Sequence, residues 1–469
     1  MRYDYDVIVV GGGHAGIEAA LAAARRGAST ALFVLKLESL GRMSCNPSIG
    51  GPAKGHLARE IDALGGELGY NADRSGIHFR MLNRSKGPAV WAPRAQNDRQ
   101  LYSLLMRQSV EDQDALSLVE AAVCELVVEG GAVSGVRTLI GKEYRAPRVI
   151  LATGTFLRGL IHIGEISIPG GRGGEASADE LSHKLRQLGF PLLRFKTGTP
   201  PRVDLRSLDY SQLEEQPGDP DPQGFSHYRD VTIANRVSCF LTRTTQATHD
   251  IIRANLHRSA LYGGVIQGIG PRYCPSIEDK VVKFPQRDSH QVFIEPEGLT
   301  THEGYVNGIS TSLPPDIQEA MVHSIPGLEH ARIMRHAYAI EYDFVDPSDI
   351  GPTLASRRLR GLYLAGQING TSGYEEAAAQ GIMAGINATL SLDGQNSIVL
   401  NRAQAYIGVL IDDLVTCGTN EPYRMFTSRA EHRLLLRQDN CDERLLPLGH
   451  SLGLVPETRW QRFQAMLLS

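Results

Sequence analysis

The chain opens with Asp6-Val-Ile-Val-Val10 and then Gly11-Gly-Gly-His-Ala-Gly16, and this stretch is its clearest fold signal. The apolar, β-branched residues 7–10 predict a buried strand. The G-x-G-x-x-G turn is followed by an Ala-rich helical segment, residues 17–26, which Gly27 ends. This order predicts a dinucleotide site, because the glycines admit a pyrophosphate and the helix N-terminus favours negative charge. The candidate cofactor-binding residues of this turn are Gly11, Gly12, Gly13, His14, Ala15 and Gly16.

The end of the second predicted strand, residues 30–34, does not identify the dinucleotide. A dinucleotide site usually has an acidic residue there to bind the ribose, about 20 residues after the glycines. This chain has Leu35 and Lys36, and its first acid is Glu38. The ribose contact is therefore open between Glu38 and the backbone, and the glycines alone do not separate FAD from NAD. The later stretch Val149-Ile-Leu-Ala-Thr-Gly-Thr155 is typical of flavoproteins that bind two dinucleotides.

Length and composition exclude several protein classes. The 469 residues are enough for two or three domains, and the net charge of −4 predicts no global nucleic-acid-binding surface. No apolar run reaches the roughly 18 residues of a membrane span, and we expect no signal peptide. The six cysteines lack C-x-x-C spacing, which argues against zinc and against a disulfide framework. We therefore expect a cytoplasmic enzyme with individual thiols.

Two cysteines lie in loops rich in Gly and Pro. Cys45 belongs to Ser-Cys-Asn-Pro and is either a small buried apolar residue or a reactive thiol near the cofactor. Cys274 has Arg272 and Tyr273 on one side and Pro275 on the other. A nearby cation favours the thiolate, although the acids that follow at 278 and 279 oppose it.

Two stretches concentrate positive charge. Residues 77–99 carry five Lys or Arg side chains with Trp91 among them, and Arg429, Arg433 and Arg437 are spaced by four on a predicted helix. Each stretch is either a solvated or ion-paired face or a contact for phosphates. In another predicted helix, residues 242–261, the histidines at 249 and 257 are expected at the surface rather than on a metal, because no third ligand is in view.

Longer blocks of sequence are similar to the GidA/MnmG family, the flavoprotein subunit that modifies the wobble uridine of certain tRNAs. The resemblance covers nearly the whole chain. Its most specific blocks are Ser44-Cys-Asn-Pro47, Ser85-Lys-Gly-Pro-Ala-Val-Trp-Ala-Pro-Arg-Ala-Gln96, Arg272-Tyr-Cys-Pro-Ser-Ile-Glu-Asp-Lys280, Tyr338-Ala-Ile-Glu-Tyr-Asp-Phe344, Ala365-Gly-Gln-Ile-Asn-Gly370 and Tyr423-Arg-Met-Phe-Thr-Ser-Arg-Ala-Glu431.

The resemblance implies the chemistry and the site residues. It implies FAD at the glycine turn, with further contacts near Val123, Ser177 and Gln367, and catalytic roles for Cys274 and Cys45. It also implies NADH as reductant, methylene-tetrahydrofolate as co-substrate with glycine or ammonium, a homodimer, and the GTPase MnmE as partner. The implied NADH-associated residues are Gly270, Arg272, Tyr273, Glu278, Lys280 and Phe284.

The predicted fold class is α/β, with a Rossmann-type, glutathione-reductase-like FAD-binding domain. We expect residues 1–200 and 340–395 to form this discontinuous domain, residues 201–339 to form an inserted α+β domain associated with NADH, and residues 396–469 to start a helical region. Two departures from the family stand out. Gly51-Pro-Ala-Lys54 replaces the usual Gly-Ile-Gly-Lys, and we expect the chain to lack the family's helical C-terminal domain, which docks the GTPase.

Three alternatives remain. The first is the related folate- and FAD-dependent tRNA uridine methyltransferase, against which the blocks around residues 274 and 338 argue. The second is a small-molecule flavin oxidoreductase, against which the two basic stretches argue. The third is a module that binds FAD without chemistry. The sequence leaves open which cysteine plays which role.

Overall fold

The computed structural model describes residues 3–272 and 275–468, in which strands and helices are interleaved along the chain. The strands are β1 (Val7–Val10), β2 (Thr30–Val34), β3 (Ser48–Gly50), β4 (Gly76–Leu82), β5 (Ala92–Asn97), β6 (Leu116–Glu120), β7 (Val123–Glu129), β8 (Ala132–Thr138), β9 (Glu143–Arg145), β10 (Arg148–Leu151), β11 (Leu160–Ile163), β12 (Ile166–Pro169), β13 (Leu192–Thr199), β14 (Arg202–Asp204), β15 (Glu214–Gln216), β16 (Cys239–Arg243), β17 (Gln291–Pro296), β18 (Glu303–Asn307), β19 (Ile333–Arg335), β20 (Tyr338–Val345) and β21 (Leu362–Leu364). The α-helices are α1 (His14–Arg25), α2 (Lys54–Ala63), α3 (Leu68–Ser75), α4 (Arg99–Glu111), α5 (Asp179–Gln187), α6 (Gln246–Ala254), α7 (Ile277–Lys283), α8 (Pro315–His323), α9 (Tyr374–Leu392), α10 (Tyr406–Asp412), α11 (Cys441–Ser451) and α12 (Glu457–Leu467).

A five-stranded parallel sheet, in the order β21-β10-β1-β2-β6, is the centre of the fold. Val7 pairs with Thr30 on one side and with Arg148 on the other, in parallel register. All four residues of β1 are buried, as expected for a strand covered on both faces. The sheet confirms the predicted α/β, Rossmann-type class.

Helices α1 and α9 pack closely against each other over this sheet. Gly381 and Gly385 of α9 lie directly against the backbone of Ala15 and Ala19 of α1, so that a Cβ at either glycine would overlap a carbonyl oxygen. Small residues on both helices allow this approach. The contact brings the N-terminus of α9, from late in the sequence, beside the first glycine turn.

The remaining strands form antiparallel sheets. The largest has six strands in the order β15-β16-β17-β18-β14-β19, and a four-stranded sheet has the order β12-β11-β20-β13. Helices α6, α7 and α8 supply residues to a second hydrophobic core, which lies between residues 203 and 331 and is separate from the main core. The division of the chain into domains remains our proposal, and this second core supports it.

Two expectations about local structure are wrong. No α-helix forms among residues 418–440, because the backbone of Tyr423 pairs in extended form with Gly370 and Ser372 instead. Pro422 within this segment also disfavours a helix. His249 is fully buried rather than at the surface, and its ring lies 2.8 Å from the Thr244 hydroxyl.

The described part of the chain has no helix with the length and apolar character of a membrane span. It also has no group of three or more His, Cys, Asp or Glu side chains arranged to hold a metal ion.

Candidate functional site

A cavity of about 430 Å³ lies at the carboxyl ends of β1, β2 and β10. In parallel α/β sheets this edge is where ligands bind. Its wall also includes the loop that carries Cys45 and the residues that start α9. The cavity therefore joins the predicted dinucleotide turn to one of the two predicted functional cysteines.

The glycine turn has the geometry that a phosphate group requires. Gly11 has φ +117° and lies against the carbonyl of Ala152, and Gly16 lies against the carbonyl of Gly11, so a side chain at either position would overlap backbone atoms. A Cβ on Gly13, in contrast, would meet no atom within 4 Å and would enter the cavity. No side chain caps the N-terminus of α1, which leaves its first N–H groups for a ligand.

His14 begins α1 and lies in the cavity wall. Its ring stacks on Tyr374 with 4.5 Å between ring centroids, and no described residue hydrogen-bonds its buried Nε2. Burial lowers the pKa of His14 to about 4, so the ring is neutral at pH 7. The stack links the glycine turn to the start of α9.

Cys45 is half-buried, and its partners come from three distant parts of the chain. Its Sγ lies 3.4 Å from the hydroxyl of Tyr305 and 3.7 Å from the carbonyl oxygen of Gly198. Its N–H donates to the hydroxyl of Tyr374 (2.7 Å), and its carbonyl accepts from Nη2 of Arg202 (2.7 Å). The backbone of Cys45 is thus held on both sides, and the residue lines the cavity. These contacts favour the interpretation of Cys45 as a positioned thiol.

Lys54 lies between two carboxylates at the N-terminus of α9. Its Nζ is 2.9 Å from Glu375 and 2.9 Å from Glu376, and Glu375 also accepts from the N–H of Gly50. Burial disfavours the charged ammonium, but the two carboxylates outweigh it and raise the pKa of Lys54. The ammonium of Lys54 therefore stays protonated in the cavity wall, paired with these two carboxylates.

Two further arginines lie in the cavity wall and share one carboxylate. Glu175 accepts from Nε of Arg172 at 2.6 Å and from Nη1 of Arg42 at 3.3 Å. Burial, together with the neighbouring Arg172 and Arg99, lowers the pKa of Arg42. This excess of positive charge favours an anionic ligand.

Some of the predicted cofactor contacts line the cavity and others do not. Val123 and Gln367 line the same cavity as Gly11 to Ala15, whereas Gly16 packs behind the turn. Ser177 does not line it, but the adjacent Ala178 does. Glu38 is exposed and does not line the cavity either, whereas Leu35 and Lys36 do, which favours a backbone contact to a ribose.

Of the predicted NADH-associated residues, those that the structure describes do not line the cavity. Glu278 is buried and accepts from the hydroxyl of Ser259, and Lys280 donates to the carbonyl of Gly308 at 2.7 Å. Gly270 contacts Lys196, Arg272 and Phe284 are exposed, and Pro271 lines the cavity. Tyr273 and Cys274 lie outside the described residues, so these assignments stay predictions.

Most of the predicted basic stretch 77–99 is used in internal pairs. Arg94 binds Glu295 at 2.7 Å, Arg99 binds Glu297 at 3.0 Å, and Arg84 binds Asp219 at 2.9 Å. The first two pairs are largely buried. The ion-paired alternative therefore applies to these three side chains.

The second basic stretch forms no stripe. Arg429 lies over the ring of Tyr423 and 3.6 Å from Asp413, and Arg437 pairs with Asp439. Arg433 is exposed. Since the helix that would align the three arginines is absent, they do not share one face.

Sequence patterns did not identify several residues that complete the site. The sequence analysis gave none of them a role in the site, and only the fold brings each of them to Cys45 or to the cavity. They are Arg42, Lys54, Arg172, Arg202, Tyr305 and Tyr374.

Comparison with known proteins gives consistent matches. The family described as "Glucose inhibited division protein A" matches residues 6–396. A protein of Syntrophotalea carbinolica, named tRNA uridine 5-carboxymethylaminomethyl modification enzyme MnmG, is 60% identical over 98% of this chain and 74% of its own length. A protein of Aquifex aeolicus with the same name is 55% identical over 98% of this chain and 75% of its own length.

A solved structure agrees with the sequence comparison. Aquifex aeolicus GidA in its form I crystal has a TM-score of 0.94 and 55% sequence identity, and the match covers 97% of this chain and 77% of the other. The chain thus spans about three quarters of the length of these relatives.

Proposed function

Because this chain belongs to the GidA family, we propose that it is an FAD-dependent tRNA-modifying enzyme. The reaction adds a (carboxymethyl)aminomethyl group to C5 of the wobble uridine. Methylene-tetrahydrofolate supplies the carbon, glycine or ammonium supplies the nitrogen, and NADH is the reductant. The observation that carries the proposal is that one cavity joins the glycine turn to Cys45. The name that these relatives carry, a tRNA uridine modification enzyme, supports tRNA as the substrate.

The cavity fits a flavin dinucleotide. The turn at Gly11–Gly13 and the uncapped N-terminus of α1 hold the pyrophosphate, with Arg42 and Arg172 adding positive charge nearby. The uncapped N-terminus of α9 adds a partial positive charge, whereas the charge of Lys54 is balanced by Glu375 and Glu376. FAD supplies two-electron redox chemistry when bound. Val123 and Gln367 contact it in this proposal, with Ser177 close by.

The two cysteines supply nucleophilic chemistry. C5 of uridine is a poor nucleophile, and a thiolate that adds to C6 makes C5 enolate-like. We assign this addition to Cys274 and an assisting role to Cys45. The assignment rests on the Arg272-Tyr273-Cys274 stretch and on the contacts that hold Cys45.

The remaining components follow from the family. NADH approaches near Gly270, Arg272, Tyr273, Glu278, Lys280 and Phe284, the enzyme is a cytoplasmic homodimer, and the GTPase MnmE is its partner. Exposed cations such as Arg433 contact the tRNA backbone.

The decisive test is nucleoside mass spectrometry of tRNA. Cells without this protein should lose the wobble modification, and the wild-type gene should restore it. A Cys274→Ser variant should fail to restore it while retaining bound flavin. Full restoration by Cys274→Ser would refute the assigned role, and unchanged tRNA in the deletion strain would refute the function.

A substitution at Gly13 separates cofactor binding from folding. Ala at this position fits the backbone, since φ is −81°, and its methyl group enters the cavity without touching protein atoms. We expect Gly13→Ala to keep the wild-type melting temperature of the flavin-free protein and to lower FAD affinity about tenfold or more, a loss of about 1.4 kcal/mol. Equilibrium titration with FAD measures this. Wild-type affinity in the variant would place the pyrophosphate elsewhere.

A further inference from the structure

The sulfur of Cys45 lies near a hydroxyl group that can stabilise its ionised form. Tyr305, on β18, is buried, and its hydroxyl lies 3.4 Å from Sγ of Cys45. The carbonyl of Gly198, 3.7 Å away, can only accept a hydrogen bond and therefore favours the thiol. The hydroxyl of Tyr374 is engaged with backbone groups of Cys45 and Asn46. The contact with Tyr305 can therefore supply a hydrogen-bond donor to a thiolate.

The ring of Tyr305 is itself fixed by a buried cation. The guanidinium of Arg202 lies 4.7 Å from the centre of the Tyr305 ring, and it also donates to the carbonyl of Cys45. Glu297 accepts from Nε of Arg202 at 2.9 Å, and both side chains of this pair are 1% exposed. The cation therefore orients the tyrosine and the cysteine backbone together. This arrangement is preorganised rather than dependent on a ligand.

We propose that Tyr305 is a positioning residue for Cys45. The hydroxyl of Tyr305 donates a hydrogen bond to Sγ of Cys45 and holds this sulfur as a reactive thiolate in the cavity wall. The inference rests on the proposed role of Cys45 as an assisting group. Ionisation releases one proton from Sγ to solvent, and the Tyr305 proton stays on its oxygen. The titratable or charged residues that contact Cys45 from neighbouring elements include Arg202 on β14, Tyr305 on β18 and Tyr374 on α9.

The test is the pH profile of alkylation of the holoenzyme by iodoacetamide, measured at each cysteine by peptide mass spectrometry. Tyr305→Phe removes the hydroxyl and keeps the ring over Arg202. We expect the pH midpoint of Cys45 alkylation to rise by about one unit. Because thiolate nucleophilicity rises with thiol pKa, the alkylation rate above both midpoints should not fall.

The other cysteines are internal controls in the same samples. Cys417 is exposed and reports reagent activity, while Cys239 and Cys441 are buried and become reactive only if the fold opens. Tyr210→Phe is the matched variant, because it removes an exposed hydroxyl that donates to a backbone carbonyl far from Cys45. Its Cys45 profile should equal that of the wild type.

Two results would overturn the inference. One is an unchanged Cys45 profile in Tyr305→Phe. The other is an equal loss of rate at every pH, which indicates reduced access rather than a change in ionisation. Failure of the proposed function gives a different result, namely absence of bound flavin or of the tRNA modification with the Tyr305 effect intact.

Discussion

His14 and Tyr374 connect the glycine turn to the loop that carries Cys45. The imidazole stacks on the phenol ring, and the phenol oxygen accepts from the N–H of Cys45 and donates to the carbonyl of Asn46. These two side chains thus fix the cysteine loop relative to the glycine turn. A neutral imidazole suits this role, because a charged ring at this depth would cost desolvation energy.

The depressed pKa of His14 predicts a specific acid sensitivity. The pKa of His14 is about 4 in the folded state and 6.5 in the unfolded state. The neutral ring therefore contributes stability above pH 6.5, and this contribution is lost as pH falls from 6.5 through 4. At 1.36 kcal/mol per unit, the full loss is about 3 kcal/mol. His14→Phe keeps the stack and removes the titration.

Urea unfolding at pH 7.5 and pH 4.5 measures the effect. The free energy of unfolding should decrease from pH 7.5 to pH 4.5 in the wild type. We expect this decrease to be about 2 to 3 kcal/mol smaller in His14→Phe. The exposed His257 provides the control, because His257→Gln should keep the wild-type pH dependence. Equal pH dependence in His14→Phe and wild type would contradict a buried neutral His14.

At the scale of elements, the contact between α1 and α9 positions both helix N-termini at the cavity. Gly381 lies against the backbone of Ala15, one residue into the helix that follows the glycine turn. The spacing of the two helices is therefore set by the absence of a side chain. Any increase in spacing would move α9, with Tyr374 and Glu375, away from the turn.

Gly381→Ala tests this packing, because the change in stability that we expect has the opposite sign to the one that helix propensity predicts. In an open helix the change would stabilise by about 0.5 to 1 kcal/mol. Here the added methyl overlaps the carbonyl of Ala15, and we expect a loss of about 1 to 3 kcal/mol together with weaker FAD binding. Thermal and urea unfolding measure the stability. A stabilised variant would show that the helices separate without cost.

At the scale of the molecule, buried ion pairs join strand β5 and helix α4 to the six-stranded sheet. Arg94 on β5 binds Glu295 on β17, and Glu297, just after β17, binds both Arg99 on α4 and Arg202 on β14. Residues that suggested a nucleic-acid surface in the sequence are therefore used to fix one part of the fold against another. Arg202 and Tyr305, which act on Cys45, come from the six-stranded sheet.

Removing one partner of such a pair should be costly. Glu295→Gln leaves Arg94 buried without its carboxylate, and we expect a loss of about 3 kcal/mol or more. The double variant Arg94→Met with Glu295→Met should lose much less, because neither charge remains. Equilibrium unfolding in urea compares the three proteins. A double variant as unstable as Glu295→Gln would assign the loss to packing rather than to charge.

The sequence by itself determined the first two strands, the glycine turn and the family. These features depend on residues a few positions apart, and β1 and β2 have the bounds that the apolar runs predicted. The sequence also identified Cys45 as a candidate, but its polar partners lie between 153 and 329 positions away.

Only the tertiary structure decided which side chains surround that sulfur, which arginines are neutralised and which histidine is buried. It also replaced the predicted helix around Arg429 with an extended segment paired to Gly370 and Ser372. The physical reason is that burial, ion pairing and backbone pairing between distant segments depend on the packed fold. Local periodicity and propensity carry no information about those distances.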